Sequence, residues 1–313
     1  MKENLNHYRR SATMKQFRAL EAVIQNGTYT AAANQLNVTP PAVSIQMGLL
    51  EDMAGMPLVE RVGDQFKATE AGNILVEAAR SIGDVLSESA EALMHIKGAE
   101  GGTARVGIIS TAKYFAPRAL AAFSREHPGI DVRLSVGNRQ ETIAAMENHE
   151  IDFAIMGRPP ENFEVESLAF GAHPHIIIAP PDHALASKSN IPIKLLAEER
   201  FLSREKGSGT RTLMSRLFTG VGIEPPLGME IGSNETIKQA VIAGLGIALI
   251  SAHTVAVELH DGRLSYLDIL GMPLVRNWFV VKRQEKKLLP ATRALWDFLE
   301  ANGKSFLPDP GLS

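Results

Sequence analysis

Between Met14 and Met53 three short amphipathic helical patterns follow one another with only turn residues between them. Phe17, Leu20, Val23 and Ile24 share one face of the first, and Asn26-Gly27 stops it. Thr28 is placed to cap a second helix over residues 29–36, dense in alanine, and Asn37-Val38 makes the turn. Thr39 then caps a third helix, with Pro40 at its first position, where a missing N–H costs nothing. Val43, Met47 and Leu50 carry that helix to about Met53. Three such helices with tight turns make a helix-turn-helix, with the motif at about 28–47. Residues 57–69 read as a two-stranded wing with Gly63-Asp64 at its tip. The expected unit is a winged helix-turn-helix over residues 14–71, preceded by a disordered extension over 1–13.

Residues 70–97 form one long helical pattern. Leu75, Ile82, Ser89 and Ile96 repeat every seven positions, with Ala78, Val85 and Ala92 at the second heptad position. This is a weak seam of small residues. One side of a globular core would show the same pattern. The abrupt stop at Gly98, Gly101 and Gly102 favours a dimerising linker helix over residues 72–98.

From Thr103 the periodicity changes to strands alternating with helices, which argues for a mostly parallel sheet with both faces covered. About 200 residues of this kind hold two subdomains. The predicted fold class is therefore α/β, with an all-α-type winged helix-turn-helix in front. The α/β part spans 103–306, with lobe I at about 103–174 and 276–306 and lobe II at about 175–275.

Composition removes several functions. Cys is absent from all 313 residues, so disulfides, thiolate metal sites, iron–sulfur clusters and cysteine nucleophiles are excluded. No apolar run reaches the roughly 18 residues of a membrane span, and no apolar stretch follows MKENLNHYRR to make an export signal. The expected location is the cytoplasm, with no membrane partner. The formal net charge of -3 does not announce a nucleic-acid binder. Residues 1–69 hold seven Lys/Arg against six Asp/Glu, a net charge of about +1. A monomer would bind DNA feebly, and a dimer or tetramer would multiply the contacts.

Short polar groups gather on the third helix and around it. Thr28, Thr30, Thr39, Pro40, Pro41, Ser44, Ile45 and Gln46 stand where a reading helix meets DNA. Short hydroxyl side chains bond phosphates, Gln reads adenine edges, and an isoleucine can touch a thymine methyl. Arg61 and Lys67, on the wing, are candidates for backbone or minor-groove contact.

In the α/β part, four segments each follow a predicted strand and precede a helix. They carry Ser110, Thr111 and Lys113; Asn138 and Arg139; Arg204, Ser208, Gly209, Thr210 and Arg211; and Asn234 and Glu235. Such positions present free N–H groups and a positive helix end to an anion, and arginines add forked contacts. A fifth segment brings Arg158 to the rim. Serine, threonine and glycine can equally be caps and turns, but four convergent segments favour an anion site. Gly207-Ser-Gly-Thr-Arg lacks the P-loop core, and no G-x-G-x-x-G opens a helix here.

Residues 14–72, with Ala31-Ala32, Val38-Thr39-x-Pro41-Ala42-Val43-Ser44-x-Gln46, Leu50-Glu51 and Thr69-x-Ala71-Gly72, resemble the DNA-binding domain of LysR-type transcriptional regulators. The resemblance runs on to about Phe306. It implies a homodimer or homotetramer on double-stranded promoter DNA, contact with RNA polymerase, and a two-lobed effector domain like a periplasmic binding protein. Pro40 and Ile45 depart from the pattern, standing where Gln and a basic residue are frequent. STAKYFAPRALAAF, HPGIDVRLSVGNRQ, DFAIMGRPP, AHPHIIIAPPDH, REKGSGTRT and GSNETIKQAVIAGLGIALIS resemble the subgroup that controls carbon-dioxide-fixation (RuBisCO) operons. That resemblance implies a small phosphorylated metabolite as effector and no cofactor. A regulator of another operon with a different small anion remains the alternative.

Catalysis has little support. G-x-S-x-G and H-E-x-x-H are absent, so no catalytic residue is assigned. His173-x-His175 has no third ligand at a metal spacing, so no metal is expected and a packed role is favoured. A free solute-binding protein would carry an export signal and no helix-turn-helix, the reverse of this chain.

Overall fold

The structure is a computed structural model that describes residues 11–96 and 101–312. Most of the expected N-terminal extension, residues 1–10, and the last two residues of the expected linker, 97 and 98, lie outside the described residues. By its contacts the chain divides into two units, 1–93 and 94–313.

In the first unit, α1 (Met14–Asn26) starts with a capping box between Thr13 and Gln16 and ends at Gly27, whose φ of 73° suits a residue without Cβ. The hydroxyl of Thr28 accepts the Ala31 N–H at 3.1 Å and caps α2 (Tyr29–Leu36). Thr39 occupies the N-cap of α3 (Pro40–Ala54), but its hydroxyl makes no capping bond. The reason is local: Pro41 has no N–H, and the Ala42 N–H goes to the Thr39 carbonyl at 3.0 Å. The Thr39 side chain is left exposed. Leu20, Val23, Ala32, Ala33, Val43, Met47, Leu50 and Leu58 form one core. Strands β1 (Val59–Val62) and β2 (Gln65–Ala68) pair antiparallel as the wing.

Helix α4 (Glu70–Ile96) begins in this unit. Its Val76 is buried in the core above and Leu75 packs against it, so Leu75 belongs to the unit's own interior rather than to an outward seam. The exposed apolar row runs through Ile74, Ile82, Val85, Leu86 and Leu93, which includes Ile82 and Val85 of the expected seam. The first turn is locked to the wing. The Thr69 hydroxyl donates to the Pro57 carbonyl at 2.8 Å and accepts the Gly72 N–H at 3.1 Å. A Cβ on Gly72 would lie 1.9 Å from the Leu58 carbonyl oxygen. Gly72→Ala is expected to cost about 3 kcal/mol, the top of the overpacking range, seen as a lower first transition in a circular dichroism melt. A wild-type melt would show that Leu58 gives way freely.

The second unit is built on a seven-stranded mixed sheet, with the path β10-β6-β11-β5-β3-β4 and β9 beside β6. Strands β3 (Gly102–Ile109), β4 (Ile130–Gly137) and β5 (Phe153–Met156) are parallel. Strands β6 (Val165–Ala179) and β11 (Leu274–Arg283) are antiparallel to each other, and β11 is antiparallel to β5. β9 (Ala248–Ser251) and β10 (Ser265–Tyr266) join β6 antiparallel, so the expectation of a mostly parallel sheet is corrected to a mixed one. β7 (Phe201–Arg204) and β8 (Leu227–Ile231) form a separate parallel pair. Helices α5 (Ala116–Glu126), α6 (Arg139–Glu147), α7 (Gly209–Val221), α8 (Asn234–Ile242), α9 (Ala256–His260) and α10 (Pro290–Asn302) complete the unit.

Two sets of apolar side chains form separate interiors. One gathers Val106, Phe115, Phe123, Phe153, Trp278 and Trp296. The other gathers Ile177, Phe201, Phe218, Ile247 and Leu249 on one side of its strands, with Ile176, Ile178, Val241 and Ile250 on the other. β6 and β11 run unbroken from the first interior toward the second, and between the two lies a cavity.

Candidate functional site

The cavity offers about 600 Å³ of space including its mouth. Ser110 and Thr111 follow β3; Asn138 and Arg139 open α6; Gly157 and Arg158 follow β5; Arg204 closes β7; and Ser208, Gly209, Thr210 and Thr212 form the start of α7. Strand register brings the rest. On β6 and β11, Arg276 stands directly opposite His173, and Leu274 opposite His175. No carboxylate is among its lining residues.

Four groups supply positive potential: the start of α7, Arg139, Arg158 and Arg276. Ser208 sits at the N-cap of α7 without a side-chain capping bond. The first-turn N–H groups of such a helix have no intrahelical acceptor and favour an anion. Arg139 donates to the carbonyls of Arg158 and of Pro159, the latter at 3.0 Å, which fixes its guanidinium at the cavity wall. Burial, and then the charge of Arg158, lower the Arg139 pKa. Burial lowers that of Arg276, with Arg158 and Arg216 adding to the effect. These cations are crowded together, Arg158 is paired with Glu161, whose charge partly offsets the crowding, and a bound anion would offset it further.

Histidines form the neutral floor. His173 lies against Trp278, with ring centroids 3.7 Å apart, and His175 lies 4.2 Å from His173. His173 Nε2 pairs with the Ser251 hydroxyl at 2.9 Å, and Trp278 Nε1 donates to His253 Nδ1 at 3.0 Å. Burial holds His173 well below the ordinary histidine value, helped by His175, His253 and Arg276. Burial and then Arg276 lower His175 to about 4, and burial alone lowers His253 to about 4. At neutral pH all three are uncharged. The Thr111 hydroxyl and His173 Nδ1 are buried without hydrogen-bond partners. Each is a polar atom that a ligand oxygen would satisfy.

Arg204 has another task. It is 3% exposed and each of its three guanidinium nitrogens is engaged: with both oxygens of Glu205, at 2.7 and 2.9 Å, the Ser110 hydroxyl at 3.1 Å, and the Asn234 side-chain carbonyl. It joins the β3 end to the β7 and α8 ends across the cavity's edge, and its charge is already matched by Glu205.

Of the residues expected around an anion, Ser110, Thr111, Asn138, Arg139, Arg158, Arg204, Ser208, Gly209 and Thr210 line this cavity. Lys113, Arg211, Asn234 and Glu235 do not. Lys113 is exposed, 5.2 Å from the centre of the Tyr114 ring. Arg211 donates to the Arg204 carbonyl at 3.2 Å and pairs with Glu230. The Asn234 Oδ1 accepts from Arg204 while its Nδ2 is buried without a partner, and Glu235 pairs with Lys238 at 2.7 Å.

Sequence reasoning missed His173, His175, Thr212 and Arg276 as cavity residues. Arg276 left a signal. It alternates with exposed Val275 and Asn277 and so shares a face with buried Trp278. A charge on the buried face of a strand calls for a ligand or a partner.

In the first unit, α3 buries Val43, Met47 and Leu50. Thr39, Pro40, Pro41, Ser44 and Ile45 are exposed together, and Gln46 is half-buried. Thr30 is exposed, while the Thr28 hydroxyl is engaged as a cap. On the wing, Lys67 is exposed, and Arg61 Nε donates to the Gly63 carbonyl at 3.1 Å.

Comparison with known proteins follows the same division. The family described as the LysR substrate binding domain matches residues 97–304, and the bacterial regulatory helix-turn-helix protein, lysR family, matches residues 14–73. The regulator CbbR of Xanthobacter flavus is 49% identical over 302 residues, covering 96% of this chain and 91% of that protein. The RuBisCO operon transcriptional regulator of Allochromatium vinosum is 44% identical over 287 residues, 92% of this chain and 95% of its own. Among solved structures, the regulatory domain of CcmR from Synechocystis PCC6803, in complex with 2-PG, is 42% identical and covers 64% of this chain and 96% of its own, with a TM-score of 0.62. Full-length CbnR complexed with its target DNA shares the fold at 22% identity, with a TM-score of 0.62 over 93% of this chain and 99% of its own.

Proposed function

The chain belongs to the LysR family of bacterial transcriptional regulators, and on that premise we propose that it controls a RuBisCO operon in response to a small phosphorylated anion. Its work is regulation, not catalysis. The observation that carries the ligand class is the cavity lining: Arg139, Arg158, Arg276 and the first turn of α7 around a space with no carboxylate in its wall. A phosphate monoester matches this set. Guanidinium forks and helix-end N–H groups suit a tetrahedral dianion, and the buried polar atoms of Thr111 and His173 suit a second oxygen on the same molecule. The 2-PG (2-phosphoglycolate) of the CcmR complex is such a molecule.

The exposed end of α3 enters the major groove of promoter DNA. Ser44 and Gln46 reach base edges, Thr39, Pro40 and Pro41 approach the backbone beside Thr30, and Arg61 and Lys67 follow the phosphates along the wing. Thr28 acts only by holding the start of α2. The exposed row Ile74, Ile82, Val85, Leu86 and Leu93 on α4 supports pairing with a second copy, which doubles the contacts of a weakly charged unit. Among the described residues no helix is long and apolar enough to cross a membrane. The protein then acts in the cytoplasm, and its output is contact with RNA polymerase. The two apolar interiors correspond to two lobes, and ligand works by binding one arrangement of them better than another.

Calorimetry tests the reading with 2-phosphoglycolate, ribulose 1,5-bisphosphate, phosphoenolpyruvate and NADPH against non-phosphorylated acids and amino acids. Sulfate and phosphate must be absent, since either would compete. Saturable binding of a phosphorylated compound is expected, with a shift in the salt-dependent affinity for RuBisCO promoter DNA. Binding only to a non-phosphorylated acid would assign the protein to another operon.

A further inference from the structure

Helix α3 carries an apolar surface on its outward side. Ile45 is 60% exposed and Val38, in the turn before the helix, is 47% exposed. With Ala42 and Leu36 they border a shallow hollow of about 900 Å³ including its open side, whose rim carries Lys15 and Arg18 from α1. Ser44 is the exposed neighbour of Ile45, and Gly48, one turn on, has nothing within 4 Å of where its Cβ would be. The face that reads DNA is thus partly alkyl, rimmed by two exposed cations.

An isoleucine has no donor or acceptor for a base edge. In the major groove the one group it can recognise by burial is the 5-methyl of thymine. The flanking Lys15 and Arg18 suit the phosphates that border such a groove, which selects nucleic acid over an apolar protein segment as the occupant. Resting on the DNA-reading role of α3, we propose that Ile45, backed by Val38, is a specificity residue that reads a pyrimidine 5-methyl group, so that thymine is preferred to uracil at one or two positions of each half-site. The same contact accepts 5-methylcytosine, which places a methyl group at the same point of the groove.

The test uses the full-length protein and the duplex that it enriches from a random-sequence pool. Each thymine is replaced in turn by deoxyuridine, then by 5-bromodeoxyuridine, whose bromine fills the methyl's volume. One or two replacements per half-site are expected to weaken binding about 3–10-fold, the scale of one buried methyl group, and bromine restores it. Ile45→Ala, an exposed change that spares the core, is expected to bind the thymine and uracil duplexes equally. Val38→Ala should shrink the difference. Uniform tolerance of uracil by the wild type would overturn the proposal, as would a uracil penalty that persists unchanged in both variants. Failure to enrich any duplex would instead remove the DNA-reading role of α3, and this proposal with it.

Discussion

Arg276→Ala is expected to weaken binding of 2-phosphoglycolate about 10–150-fold, the equivalent of the roughly 1.5–3 kcal/mol of a hydrogen bond to a charged group. The residue lies in the cavity opposite His173 on the paired strands β6 and β11. Burial and two neighbouring arginines already disfavour its charge. The same variant should therefore make the ligand-free protein slightly more stable, because one member of a crowded cationic set is gone. A binding residue that is held at a cost in the free protein has this double signature, and a merely structural residue does not. Arg276→Lys keeps the charge and loses the fork, so intermediate affinity is expected. Calorimetry and a thermal melt read both effects. Wild-type affinity in Arg276→Ala would remove Arg276 from the binding set and leave Arg139 and Arg158 to hold the anion.

The second large effect is on stability against pH. His175 and His253 have folded pKa values of about 4, and His173 is also pushed far down. In the unfolded chain each titrates near 6.5. Between these values the unfolded state binds the proton and the folded state does not, so stability falls as pH drops through 6.5 toward 4. It is fully present above 6.5, and below about 4 the difference no longer grows. For His175 and His253 the loss is on the order of 3 kcal/mol each, from about 2.5 pKa units at 1.36 kcal/mol per unit. Both tryptophans of the chain, Trp278 and Trp296, are buried in the second unit, so their fluorescence reports that unit alone during urea unfolding. The midpoint should drop strongly between pH 7 and pH 4.5, and His175→Gln should flatten the drop. A slope unchanged in that variant would show that other groups set the acid sensitivity. A bound dianion should also oppose the loss by favouring the protonated histidines.

The helix-turn-helix was legible because its signals are local. Capping residues, a proline pair, Asn-Gly and the spacing of Val43, Met47 and Leu50 act within a few residues of one another. Where the expectation missed, a second local rule intervened: Thr39 cannot cap, because Pro41 removed the donor. The helix over 70–96 was equally legible, but its seam only in part, since Ile82 and Val85 are exposed and Leu75 is not. Heptad counting cannot tell which apolar stripe the winged unit takes for itself, and Leu75 and Val76 turn inward while Ile74 faces out.

In the α/β unit, segments between strands and helices could be named in advance because strand ends in such folds converge. Which side chain of a segment faces inward could not. Thr210 and Arg211 are neighbours in the chain, yet one lines the cavity and the other pairs with Glu230. Arg204 looked like a free cation and is an engaged one, since its partners Ser110 and Asn234 lie 94 and 30 residues away. Local chemistry alone thus determined the three helices of the first unit, the Thr28 cap, the wing and the strand-end segments, because those depend on near neighbours. The cavity was decided by tertiary structure. Arg276 meets His173 only through the register of two strands about a hundred residues apart, and the histidines lose their charge only when Trp278, Arg276 and the surrounding protein exclude water from them.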